Sequence, residues 1–318
     1  MTVDIVSRRL ASVDEFRGFA TVSMILVNFV AYFAVTPRFL KHAHDHSMTF
    51  ADLVAPLFLV ALGMMYRQSF TRRVAKAGRI STYTHAARRY LTILVIGLVG
   101  GAVGKMRITF DWGVLQAIGL AGVIALPFIE LGRVPRLVGG GALLAAFHFG
   151  MVPFAREAIA SSDQGGPVAA FGWASVVLFA SVAGDLLRSD DVIGSRRRLS
   201  GLGGFFTCLG AAAAAVIPVS KPLVSPSYVL LATGISILTF SGFLFLRDER
   251  GVAIPTLESM GRNALVVFLL HYVVVRLAHA ALARSAGPVL VCLGTIAVYS
   301  VCSGVAVTLD RRHIYVTV

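Results

Sequence analysis

Seven stretches of this chain, at positions 18–37, 112–129, 137–155, 164–184, 199–220, 222–246 and 285–309, contain no Asp, Glu, Lys or Arg. A helix needs roughly 20 apolar residues to cross a hydrocarbon layer about 30 Å thick, and each run reaches or approaches that length. Inside lipid every backbone polar group must be satisfied within the protein, so only helices and closed barrels cross it. A barrel strand alternates apolar and polar positions, whereas these runs are unbroken. Three weaker stretches complete the pattern: 50–66, 90–104 and 257–280, the last holding Glu258, Arg262, His271 and Arg276. The expected fold is an all-α integral membrane protein of ten transmembrane helices.

Composition agrees. Of 318 residues, 14% are charged, where a soluble domain carries about 25%. That shortfall excludes a soluble enzyme, a secreted disulfide scaffold and a disordered tail. The net charge of +13 would suggest nucleic acid as partner for a soluble protein. In a membrane protein it reports topology, because Lys and Arg stay in short cytoplasmic loops. With ten spans, 20 of the 29 basic residues fall on one side and seven on the other; Arg262 and Arg276 lie within the ninth span. Both termini are then cytoplasmic, the 38–49 loop faces outward, and nucleic acid is no partner. The first run follows Asp14 and Glu15 and ends in no small-residue cleavage site, so it is not a cleavable signal peptide.

Cys208, Cys292 and Cys302 all fall inside expected spans and read as small core residues, with no disulfide framework or metal-spaced pair. The alanine run at 211–215 reads as close helix packing. Residues 1–318 form a single membrane domain.

Ionisable groups in a membrane are costly, so the few present mark function more often than in water. The richest cluster is the outward loop Lys41-His42-Ala43-His44-Asp45-His46, followed by Thr49 and Asp52. Histidine exchanges protons near neutral pH, and a carboxylate ten residues on can orient such a base. Thr49 and Asp52 equally suit the N-terminus of the next helix as cap and dipole partner. His44 and His46 read as solvated loop residues; His-x-His lacks a third metal ligand, and no metal is expected. In the ninth span Asn263, His271 and Arg276 interrupt Leu, Val and Phe. His271 either lines a site or bonds a helix backbone, and Arg276 and His279 can snorkel to the outer interface. Asn28 either bonds a neighbouring helix or lines a site. Arg107 and Lys221 are outward cations able to hold an anionic group. The basic 67–89 stretch faces cytoplasmic lipid headgroups or a nucleotide-like anion.

The stretch Arg9-Leu10-Ala11-Ser12-Val13-Asp14-Glu15-Phe16-Arg17-Gly18 with Val27-Asn28 resembles the first span of the heparan-α-glucosaminide N-acetyltransferase family of transmembrane acyltransferases. The likeness continues in Lys41-His42-Ala43, Thr49-Phe50-Ala51-Asp52-Leu53-Val54-Ala55-Pro56, Gly63 and Gly113-Val114-Leu115-Gln116, then in Ser227-Tyr228-Val229 and Gly261-Arg262-Asn263 with His271. The signature is densest over 9–116. The resemblance implies an acyltransferase that takes acetyl-CoA or another acyl-CoA from the cytoplasm and acylates an extracytoplasmic sugar. It implies His42 as the catalytic histidine, with Asn28 beside it and Asp52 orienting the site. Arg17, Asn263 and His271 would serve the acyl-CoA; Lys41, Arg107 and Lys221 would serve the acceptor. The partners expected are acyl-CoA, a sugar or glycan, the lipid bilayer of the cell's inner membrane and a second copy in a homodimer. The chain departs from the family at Ala117, where the family has Arg, and in a short outward segment at 156–167. These departures favour an envelope hexosamine or a small glycoside over heparan. The rival class is a transporter whose polar groups line a translocation path, although no inverted repeat supports it.

Overall fold

A computed structural model describes residues 10–43, 47–105, 112–188 and 190–316, with side chains of 101–105 excepted. Among these residues every regular element is helical. The order is α1 (Ala11–Val30), α2 (Phe50–Ala77), α3 (Arg79–Lys105), α4 (Val114–Ala125), α5 (Arg133–Ala145), α6 (Val152–Ser161), α7 (Ala170–Gly184), α8 (Val192–Ala214), α9 (Pro226–Phe243), α10 (Pro255–Arg262), α11 (Ala264–Ala281) and α12 (Pro288–Arg311). A π-helical segment, Ala146–Met151, joins α5 to α6 into one apolar rod, and another, Leu244–Glu249, extends α9. Among the described residues, five units are long and apolar enough to cross a membrane: α2, α5–α6, extended α9, α11 and α12. Both α7 and α4 with the turn after it are apolar but shorter.

The centre of the bundle is α7. Of its residues all but Phe171 are buried, as expected of a helix that is apolar on every face. It packs against α2, α4, α5 and α9. Glycine permits the closest of these crossings: a Cβ at Gly184 would lie 1.9 Å from the Met64 carbonyl oxygen. The α1–α10 crossing is tighter still, since a Cβ at Gly18 would meet Leu257 O at 1.9 Å and one at Gly261 would meet Asp14 O at 1.8 Å. Without a hydrophobic drive between helices in lipid, such backbone approaches supply the packing.

Three expectations change in detail. The ninth span is two helices, broken at Asn263 with φ −109° and ψ 25°. The 211–215 run is largely outward-facing, and α8 meets α9 through Gly203, Gly210 and Gly234 instead. Cys302 is buried, but Cys208 and Cys292 are exposed on the outer face of the bundle.

Candidate active site

Residues 41–43 pack against the first turn of α2, and Asp52 organises the contact. Thr49 caps the helix, and Asp52 Oδ2 accepts N–H bonds from Thr49 at 3.0 Å and from Ala43 at 3.2 Å. The Thr49 hydroxyl lies 2.7 Å from Lys41 O and 3.0 Å from Asp52 Oδ2, within reach of either. These bonds leave Oδ1 for His42 Nδ1, 2.8 Å away. A second device holds the backbone of Asp52. Pro56 has no N–H to bond the carbonyl four residues back, and that carbonyl belongs to Asp52. The Tyr228 hydroxyl, from α9, donates to it at 2.6 Å. A buried carbonyl left by proline thus ties α2 to α9 at the site.

Lys221 completes the group from the loop before α9. Its Nζ lies 3.1 Å from His42 Nδ1 and 3.6 Å from Asp52 Oδ1. A ring nitrogen carries either a proton or a lone pair, so Nδ1 serves one partner at a time. The shorter contact to a fully buried carboxylate assigns the proton to Nδ1, donated to Asp52. Nε2 is then the unprotonated nitrogen of a half-exposed ring. Burial pushes the Lys221 ammonium below the usual lysine range, opposed by the attraction of Asp52.

His42 borders a cavity of about 510 Å³ that Asn28 and His271 also line. His271 Nδ1 donates to Phe268 O one turn back, which leaves Nε2 as acceptor for the Asn28 amide N–H at 3.0 Å. This bond uses one amide N–H of Asn28, and the side chain lines the cavity. Asn28 is an exposed side chain on an otherwise mostly buried helix face, and the exposure is to this cavity.

The same cavity has walls that sequence reasoning missed: Trp112, Asp163, Gln164 and Tyr272. The Trp112 indole N–H and Gln164 Oε1 are buried with no hydrogen-bond partner among the described residues. Gln164 has φ +54°, a conformation uncommon outside glycine, and Trp173 Nε1–H donates to its carbonyl at 2.9 Å. The available signal was Asp163-Gln164, polar residues placed directly before Gly165-Gly166 and an apolar run.

A second cavity of about 350 Å³ lies toward the other end of the helices, and Leu115 and Phe268 wall both. Arg17, Arg89 and Arg262 line it with Tyr66, Ser69 and apolar Phe58, Leu62 and Ile118. Arg262 pairs with Asp310 at 3.1 Å and with Glu258, and Arg17 lies 3.6 Å from Asp14. Arg89 has no carboxylate partner among the described residues, and its Nε is buried and unbonded.

The remaining expected residues divide. Asn263 is buried at the break between α10 and α11, bonds Ser259 O at 3.4 Å and lines neither cavity. Lys41 reaches the Ala34 carbonyl at 3.4 Å rather than either cavity. Arg276 lines the cavity that His42 borders, and His279, also there, donates to Phe29 O at 2.9 Å and stacks on Tyr32 instead of snorkelling. Arg107, His44 and His46 lie outside the described residues.

Residues 9–193 match the family model described as heparan-alpha-glucosaminide N-acetyltransferase, catalytic. No curated protein matches the chain.

Proposed function

From a chain that belongs to the heparan-alpha-glucosaminide N-acetyltransferase catalytic family, we infer a membrane acyltransferase that moves an acetyl or other acyl group from acyl-CoA to a sugar. The donor enters from the cytoplasmic end; the acceptor, an amine or hydroxyl of an extracytoplasmic sugar or glycoside, enters from the other. Ten crossings suit the charge bias: α1, α2, α3, α4, α5–α6, α7, α8, α9, α11 and α12, with both termini cytoplasmic and the protein in the inner membrane.

The observation that carries this reading is the pair of cavities divided by Leu115 and Phe268: one holds His42 and Asn28, and the other is lined by arginines. The residues fit an acyl-CoA. The unbonded Nε of Arg89, beside Arg17, suits a phosphate. The wall of Phe58, Leu62 and Ile118 suits a pantetheine arm, which would bring the thioester to the dividing wall. Lys221, expected to hold an acceptor, has Asp52 as its nearest anion and serves the histidine instead.

His42 Nε2 takes the proton of the attacking amine or hydroxyl, and Asp52 stabilises the imidazolium that forms. The second N–H of Asn28 holds the carbonyl oxygen as negative charge develops on it. The proton on Nε2 then passes to the departing thiolate. Asp163, Gln164 and Trp112 provide one carboxylate, one amide oxygen and one N–H donor for acceptor hydroxyls, and Tyr272 offers a ring face.

The test is transfer in proteoliposomes, with acetyl-CoA on one side and candidate amino sugars or glycosides on the other. Transfer that needs both substrates supports the reading. Solute uptake that ignores acyl-CoA identifies a transporter.

A further inference from the structure

The end of the bundle that carries the 67–89 basic stretch has an unbalanced charge cluster. Asp185, just past α7, pairs with Arg136, whose guanidinium is fully buried. Arg67 reaches the same carboxylate at 3.2 Å and Arg133 at 3.7 Å. Arg133, Arg188 and Arg198 line a cleft of about 210 Å³ over Asp185 and Leu186. Arg198 also shares Asp191, 3.1 Å away, whose other oxygen caps α8. Four guanidiniums therefore share two carboxylates, and Arg188 lines the cleft beside them.

Like charges at the edge of a low-dielectric bundle repel one another, and a further anion relieves them. Guanidinium forks match the oxygens of a phosphate. The neighbouring surface is apolar: Val134 and Val138 on α5 are exposed by 69% and 65%, and Ile193 at the start of α8 by 53%. A spacing of four stacks Val134 and Val138 on one helix face, next in sequence to Arg133. A ligand that suits both parts carries a phosphate at one end and hydrocarbon at the other. Basic clefts between helices at the cytoplasmic surface hold lipid headgroups for this reason.

We propose that the cleft between Arg133, Arg188 and Arg198 binds the headgroup phosphate of an anionic phospholipid, with its acyl chains against Val134, Val138 and Ile193. The site is separate from both cavities of the proposed reaction and stands whether or not that reading holds.

The test uses the full chain in vesicles of phosphatidylcholine, or of phosphatidylcholine and phosphatidylglycerol in equal parts. Thermal unfolding gives stability, and mass spectrometry gives co-purified lipid. Phosphatidylglycerol should raise the Tm of the wild type and stay bound through purification. Arg188→Gln with Arg198→Gln should retain it about thirtyfold less, at about fivefold per basic residue. Arg311→Gln with Arg312→Gln, an equal loss of charge at the end of α12, should keep it. Equal retention by the Arg188/Arg198 variant overturns the site, as does equal loss in the Arg311/Arg312 variant, which would mean generic surface attraction. Stabilisation by inorganic phosphate alone, with none added by phosphatidylglycerol, would overturn the lipid as ligand. The Tm of the variants in phosphatidylcholine reports whether they fold.

Discussion

His42 Nδ1 lies 2.8 Å from Oδ1 of Asp52, a carboxylate that solvent does not reach. The bond does two things. It holds the ring with Nδ1 toward Asp52, and it places a negative charge where, in the proposed reaction, an imidazolium forms. Asp52→Asn keeps the size and removes the charge. Its kcat for acyl transfer should fall about 10²–10⁴-fold with little change in KM. The same change weakens the cap of α2, so Tm should fall as well, by about 1 kcal/mol of stability. A kcat within twofold of wild type would remove Asp52 from the mechanism.

Lys221 sets a pH signature. Burial lowers its proton affinity, so it loses its charge at a lower pH than an exposed lysine, whose value is about 10.4. As pH rises through that lowered value, the cation beside Asp52 and His42 is lost, and activity should decline on the alkaline side. In Lys221→Arg the guanidinium stays charged, and the alkaline decline should move upward. The rate profile of both proteins from neutral pH to about pH 10 decides it; identical alkaline limbs would exclude Lys221 as the group.

Asn28 spends one amide N–H on His271, has a second to offer, and lines the cavity. If that second N–H holds the developing oxyanion, Asn28→Ala should lower kcat about 10²–10³-fold while donor affinity changes little. His271→Ala removes only the partner that orients the amide and should cost less. Stopped-flow single turnovers separate the chemical step from binding; a larger loss for His271→Ala would reverse the two roles.

Arg89 should act on the donor alone. Arg89→Ala should raise KM for acetyl-CoA about tenfold or more, the worth of a charge-assisted hydrogen bond, without lowering kcat. Acetyl-pantetheine, which has no phosphate, should be used equally by variant and wild type. A matching loss with acetyl-pantetheine would place the role of Arg89 elsewhere.

The α1–α10 crossing sets the register of the two helices that present Asn28 and Arg262. Since a Cβ at Gly18 would meet backbone Leu257 O at 1.9 Å, no side-chain rearrangement accommodates it. Gly18→Ala should destabilise by about 1–3 kcal/mol, read as a lowered Tm. Gly141→Ala, where a Cβ meets open space, is the control and should not.

Much of this architecture is legible in the chain. Charge-free runs mark the helices because lipid tolerates few charges, and the Thr49–Asp52 spacing marks a cap because capping is local. His42 and Asp52 are ten residues apart, close enough for one loop to join them. Their further partners are not local. Lys221 lies 179 residues beyond His42, and His271 lies 243 beyond Asn28. Such pairings depend on which helices become neighbours, which no spacing along the chain encodes. The break at Asn263 was hidden because an apolar run looks continuous whether or not its backbone is. The alanine run misled for a related reason: small residues permit close packing, but where α8 meets α9 it is Gly203, Gly210 and Gly234 that lie against the facing helix.

The central claim is that His42 transfers the proton of an acyl transfer carried across the bilayer. It is tested most directly with wild type and His42→Ala in sealed proteoliposomes, labelled acetyl-CoA outside and a glycoside acceptor inside, with the orientation of inserted protein established by protease. Labelled product should appear inside with the wild type, and be lost about 10²-fold or more with His42→Ala at equal insertion and Tm. Equal product from folded His42→Ala would contradict the account.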